Sequence, residues 1–211
     1  LDSTLLQAVQ DLGFTTPTSV QQHAIPEALT GKDLLVSAKT GSGKTVAFLL
    51  PMLQHLLQSD ATTGTRALIL VPTRELARQI FAQCELLTAY TQLSVGLITG
   101  GEDFKRQEKA LNKDTDIIVA TVGRLLDHLN YRDLNDLQVL ILDEADRMLD
   151  MGFSEDVLNI AKQCHADKQT LLFSATLNHY GVIKIADKIL TDPKIIALNT
   201  LQDQHHNLEQ Q

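Results

Sequence analysis

Seven short apolar runs recur along this chain, each long enough for a strand: DLLVSA (33–38), ALILV (67–71), SVGLIT (94–99), DIIVAT (116–121), VLILD (139–143), TLLFSA (170–175) and KIIAL (194–198). They are rich in β-branched residues and nearly continuous in apolar character, as expected of strands buried on both faces. Between them lie segments with helical spacing and charged faces, such as RELARQIFAQCELLTAY (74–90) and SEDVLNIAKQC (154–164). The alternation predicts an α/β fold in three layers, a mainly parallel sheet flanked by helices. In such a sheet ligands bind beyond the carboxyl ends of the strands, so the residues following each run are the first candidates for function.

A chain of 211 residues, 44% of them hydrophobic, can bury one sizeable core, and a single compact domain is expected. That domain should occupy 1–200, while LQDQHHNLEQQ (201–211) loses all periodicity and reads as a solvated tail or the start of a connection. His205 and His206 within it are expected to be solvated rather than metal-bound. Eighteen Lys plus Arg against twenty-six Asp plus Glu give a net charge of −8, which excludes a global basic field, so any contact with nucleic acid must be local. Cys84 and Cys164 lie far apart without CxxC spacing and read as inert buried thiols in a reducing compartment. The chain has no apolar run of about 18 residues and no basic-then-apolar leader. A soluble cytoplasmic protein with no membrane partner is the expectation.

The first strong run leads into AKTGSGKT (38–45), then the helical VAFLLPMLQHLLQ. Strand, glycine-rich loop and helix in that order form a phosphate cradle. The pattern G-x-x-x-x-G-K-[ST] is met by Gly43, Lys44 and Thr45, with Ala38 in place of the first glycine. Across Ala38, Lys39, Thr40, Gly41, Ser42 and Gly43, the glycines let backbone N–H groups turn toward phosphate oxygens, and the helix N-terminus adds partial positive charge. Lys44 can reach the β and γ phosphates, and Thr45 can offer its hydroxyl to Mg²⁺. The buried run VLILD then carries Asp143 to a strand end, where a nucleotide site needs an acid to hold Mg²⁺. Glu144, one step further, is placed to orient or deprotonate water attacking the γ-phosphate, a role that passive binding does not require.

Together these residues resemble the DEAD-box family of ATP-dependent RNA helicases. The tetrapeptide stands at 143–146, and with it come GFTTPTSVQ (13–21), similar to the Q motif, AKTGSGKT, similar to motif I, and PTRELARQ (72–79), similar to motif Ia. Gly100-Gly101 resembles the GG motif, TVGR (121–124) motif Ib, and Ser174-Ala175-Thr176 motif III. All fall in family order over nearly the whole chain. The resemblance implies a RecA-like lobe that binds ATP with Mg²⁺ and grips RNA by its backbone. Catalysis would fall to Lys44, Asp143 and Glu144.

The resemblance also implies that Gln21 contacts the adenine edge, by the geometric match through which an amide reads adenine in DNA, with Thr18 supporting the site. In isolation TPTSVQ reads as a turn and helix cap. RNA contacts are implied for Pro72, Thr73, Arg74, Gly101, Thr121, Gly123 and Arg124, groups that grip phosphate and sugar without reading bases. Arg74 and Arg124, read without the resemblance, are equally ordinary ion-pairing residues at helix starts. Ser174 and Thr176 are implied to couple hydrolysis to RNA release through hydrogen bonds with Asp146.

Three departures from the family pattern stand out. Lys39 occupies a position usually neutral, Val122 replaces the usual proline of motif Ib and is expected to loosen its turn, and the aromatic residue upstream of the Q motif is not identifiable. No arginine follows Arg147, so the arginines that the family's second RecA-like lobe brings to the γ-phosphate are expected from outside these residues. The expected function is the ATP-binding lobe of an RNA helicase, nearly inactive alone. A single-lobed nucleotide- or RNA-binding module without catalysis is the rival.

Overall fold

In the computed structural model, residues 1–111, 114–129 and 134–198 are described here, and the tail at 201–211, with His205 and His206, lies outside them. Each of the seven apolar runs forms a strand: β1 (Leu34–Ser37), β2 (Ala67–Val71), β3 (Val95–Ile98), β4 (Ile117–Thr121), β5 (Val139–Leu142), β6 (Gln169–Ser174) and β7 (Lys194–Ala197). They pair in the order β3-β4-β2-β5-β6-β1-β7, and every pairing is parallel. All carboxyl ends therefore open on the same edge.

The helices are α1 (Ser3–Asp11), α2 (Ser19–Leu29), α3 (Lys44–Gln58), α4 (Arg74–Leu87), α5 (Phe104–Leu111), α6 (Val122–Leu129), α7 (Ala145–Asp150), α8 (Ser154–Gln163) and α9 (Tyr180–Ile189). Strand residues alternate between two cores. Ile69, Val71, Ile141 and Phe173 face a core built with α1 to α4, whereas Leu68, Leu70, Leu140 and Leu172 face one built with α5 to α9. Phe48 of α3 meets Phe173 edge to face, with ring centroids 5.3 Å apart. Burying both faces is what made the runs read as continuous rather than alternating.

Polar ties hold the edge opposite the carboxyl ends. Arg66, preceding β2, is buried and donates from Nε and Nη2 to Asp116 Oδ1 at 3.2 and 2.9 Å, and from Nη1 to the carbonyls of Leu56 at 3.0 Å and Ala61 at 3.1 Å. Asp116 Oδ2 accepts from the Ser94 N–H at 2.9 Å, so one ion pair fastens the entrances of β2, β3 and β4. Asp33 does the same across the sheet, accepting from the N–H groups of Thr170 and Thr191, each at 2.8 Å. Both cysteines are free and buried, and burial pushes each thiol up to about 12. Their reading as inert thiols agrees with that burial. Among the described residues no helix is long and apolar enough to cross a membrane.

Candidate nucleotide and nucleic-acid site

The strand order sorts the motifs. Segments following β1, β5 and β6 are the glycine-rich loop, the acidic tetrapeptide and Ser174-Ala175-Thr176, while those following β2, β3 and β4 carry Arg74, Gly100-Gly101 and Arg124. One half of the carboxyl edge thus carries the glycine-rich loop and the acids, and the other carries the arginines and the double glycine. They meet where β2 pairs with β5, and the Asp143 N–H continues that ladder by donating to the Leu70 carbonyl at 3.0 Å.

In the first half, Lys44 begins α3 and is almost wholly buried, so its ammonium needs a partner. It finds Asp143 Oδ1 at 3.0 Å and Glu144 Oε1 at 3.8 Å. Asp143 is fully buried; burial pushes its carboxyl above the usual range, opposed by the Lys44 charge. Oδ1 also accepts from the Glu144 N–H at 2.9 Å, but Oδ2 has no hydrogen-bond partner among the described residues. An orphaned, buried carboxylate oxygen is costly unless something else binds it. A hard, unpartnered carboxylate oxygen suits a magnesium ion.

Glu144 has φ of 52°, a left-handed conformation rare for a residue with a side chain, and it holds the N-cap of α7 without making a capping bond. Its carboxylate instead faces Lys44 and Arg147, whose Nη1 lies 3.5 Å from Oε2. Sequence reasoning gave Arg147 no role, although its i+3 spacing from Glu144 on a helix start was a signal.

Beside this cluster a cleft of about 350 Å³ runs between the glycine-rich loop and the start of α2, bordered by Thr18, Ala38, Lys39, Gly41 and Ser42. The turn-and-cap reading of TPTSVQ is realised: Thr18 caps α2, accepting from the Gln21 N–H, while Gln21 Oε1 accepts from the Thr18 N–H at 3.0 Å. Gln21 Nε2 donates to the Gly43 carbonyl at 3.1 Å, joining the cap to the loop. The amide retains one N–H and one lone pair, the complement of an adenine edge. Ala38 is buried in the core, and its N–H donates to the Ser174 carbonyl at 3.0 Å, so the methyl that replaces a glycine hydrogen has a place to pack. Lys39 is exposed at the rim.

In the second half, Thr73 follows Pro72 and caps α4, accepting from the Leu76 N–H at 3.3 Å. Arg74 lies against the double glycine: a Cβ on Gly101, whose φ is +81°, would fall 2.5 Å from Arg74 Nη1. The left-handed backbone disfavours a side chain there, and one would also have to push the guanidinium aside. Arg124 donates from Nε to the Thr99 carbonyl at 3.3 Å and from Nη2 to the Glu102 carbonyl. Neither Arg74 nor Arg124 makes an ion pair with a described residue. Thr121 ends β4 and Gly123 is exposed beside it. Val122, in place of the family's proline, is the first residue of α6 and is buried in the core.

Ser174 donates to the Thr176 carbonyl at 2.9 Å, and the Thr176 hydroxyl accepts from the Asn178 N–H at 3.1 Å. Asp146 forms no hydrogen bond with either; in this structure the segment is tied to the β1 end, through Ala38 and the Ser37 hydroxyl, which donates to the Ala175 carbonyl at 3.4 Å.

A family model described as DEAD/DEAH box helicase matches residues 18–184. The chain is 48% identical over 203 residues to the ATP-dependent RNA helicase SrmB of Escherichia coli K12, covering 94% of this chain and 46% of that protein. It is 48% identical over 215 residues to a Dictyostelium discoideum protein named probable ATP-dependent RNA helicase ddx27, covering 100% of this chain and 27% of that protein. The crystal structure of a DEAD box protein from Methanococcus jannaschii matches with a TM-score of 0.87 at 39% identity, over 95% of this chain and 55% of that one. The chain thus spans about a quarter to a half of the length of these curated relatives. With its RecA-like sheet and its motifs sorted along one edge, the chain belongs to the DEAD/DEAH box helicase family.

Proposed function

We propose that this chain is the ATP-binding lobe of an ATP-dependent RNA helicase, hydrolysing ATP and remodelling RNA together with a second RecA-like lobe. The observation that carries the reading is the buried bridge from Lys44 to Asp143 at 3.0 Å, with Asp143 Oδ2 left unpartnered beside it. A bridge between glycine-rich loop and acidic strand end puts a cation and two carboxylates at one point, the set that phosphoryl transfer uses.

Within this reading the triphosphate lies along Ala38 to Thr45, with loop N–H groups and the α3 N-terminus facing its oxygens. Lys44 turns its ammonium to the β and γ phosphates. Asp143 and Thr45 would hold Mg²⁺, which supplies charge neutralisation to the phosphate oxygens when bound. Glu144 orients the attacking water and accepts its proton, while the buried Lys44 draws the carboxylate inward and Arg147 pairs with its other oxygen. Gln21, using its remaining N–H and lone pair, selects adenine. Pro72, Thr73, Arg74, Gly101, Thr121, Gly123 and Arg124 grip the RNA backbone, independent of base sequence. Asp146, Ser174 and Thr176 link the two events once RNA and the second lobe are engaged.

The test is Glu144→Gln in the full-length protein. ATP binding should persist while RNA-stimulated turnover falls at least ~100-fold, the lower bound for loss of a general base. Turnover equal to the parent's would show that another group activates the water.

A further inference from the structure

We infer that Phe104, backed by His128, is a positioning residue that presents Arg124 to the RNA backbone; this rests on the reading of Arg124 as a phosphate contact. Phe104 opens α5 directly after the double-glycine turn and is only partly exposed. Its ring stacks on the imidazole of His128 with centroids 4.0 Å apart and planes 4° from parallel. Arg124 Cζ lies over the same ring, 5.4 Å from its centroid, within the range of a cation–π attraction. Arg124 and His128 are one helical turn apart on α6, so a single aromatic ring receives both.

Hydrogen bonds close the arrangement. Gln107, one turn beyond Phe104 on α5, donates from Nε2 to the Thr99 carbonyl at 2.9 Å, and its Oε1 lies 3.4 Å from His128 Nε2. Arg124 Nε donates to that same Thr99 carbonyl at 3.3 Å, and Nη2 to the Glu102 carbonyl. His128 is buried, so the platform cannot swing away as an exposed ring would. The guanidinium spends two of its five N–H donors on backbone carbonyls and keeps three for an incoming oxyanion.

The consequence is preorganisation. A free arginine loses rotamer freedom when it grips a phosphate, and a side chain already held loses less. A grip that reads no bases relies on many weak contacts, so the loss of one prepared contact is measurable.

The experiment measures binding of fluorescein-labelled single-stranded oligouridine RNA by the full-length protein with a non-hydrolysable ATP analogue, across a salt series. Phe104→Leu keeps apolar bulk and loses the ring face, and should weaken RNA binding about 3- to 10-fold. The salt slope should not change, because Arg124 still reaches phosphate. Phe104→Tyr should bind as the parent does. Arg124→Ala should weaken binding and lower the slope magnitude by about 0.7. In the Arg124→Ala background, Phe104→Leu should cost nothing further. An equal cost in both backgrounds, or no effect of Phe104→Leu in the parent, overturns the positioning role alone. An Arg124→Ala variant with parental affinity overturns the reading of Arg124 beneath it.

Discussion

Gly43→Ala tests the join between the adenine-side cap and the phosphate loop. Gly43 has φ of +82°, and an added Cβ would lie 2.7 Å from Gln21 Nε2, 2.8 Å from Thr18 Oγ1 and 2.9 Å from Thr18 Cγ2. Alanine in the left-handed region costs about 1 kcal/mol. Moving Thr18 and Gln21 breaks the capping box, about 1 kcal/mol, and the Gln21 bond to the Gly43 carbonyl, about 1 kcal/mol more. The total is about 3 kcal/mol, and at 2–4 °C per kcal/mol for a domain of this size the melting temperature should fall about 6–12 °C. Gly41→Ala is the internal control: φ is +80° but no atom lies within 4 Å of the added Cβ, so only the conformational part applies. Its melting temperature should fall by about 2–4 °C. Thermal melts by circular dichroism without nucleotide, followed by calorimetric titration with Mg-ATP, read both effects. If the two variants melt together and Gly43→Ala keeps parental ATP affinity, the contact between cap and loop is not what holds this side of the cleft.

Arg66→Met removes a buried guanidinium, leaving the half-buried Asp116 carboxylate without its partner and two carbonyls without their donor, a loss of about 3–5 kcal/mol that should appear as a drop of about 6–20 °C in melting temperature. Adding Asp116→Asn should recover part of that loss, since the unpaired charge goes; a double variant less stable than the single would refute this account. Gln21→Ala should narrow the preference for ATP over GTP in nucleotide competition, and unchanged selectivity would mean that adenine is read elsewhere.

Residues close in sequence and dense in glycine or acid carried most of what could be read without coordinates. The seven strands were legible because burial on both faces forces unbroken apolar runs, and AKTGSGKT because strand, loop and helix are contiguous. Strand order was not legible, since placing β5 between β2 and β6 depends on contacts between distant segments. Nor was the Arg66 clasp, whose partner is 50 residues away, or the platform under Arg124, assembled from two helices by an aromatic and a histidine that carry no motif. The resemblance assigned Gln21 and Lys44 to nucleotide. It could not reveal that each already has a protein partner, Gln21 in a helix cap and loop and Lys44 on two carboxylates. Those bonds are choices among side-chain rotamers, which sequence spacing does not fix.

The unbroken ladder from β2 to β5 leaves no hinge between the two halves of the carboxyl edge. Close packing on both faces of a parallel sheet resists bending at one strand pair, so the glycine-rich loop with its acids and the arginines with the double glycine are expected to move as a single jaw. Under the proposed function, nucleotide turnover would loosen the grip on RNA by changing what closes on this jaw from outside, not by parting its halves, so the chain would serve as the anvil and the proposed second lobe as the moving hammer.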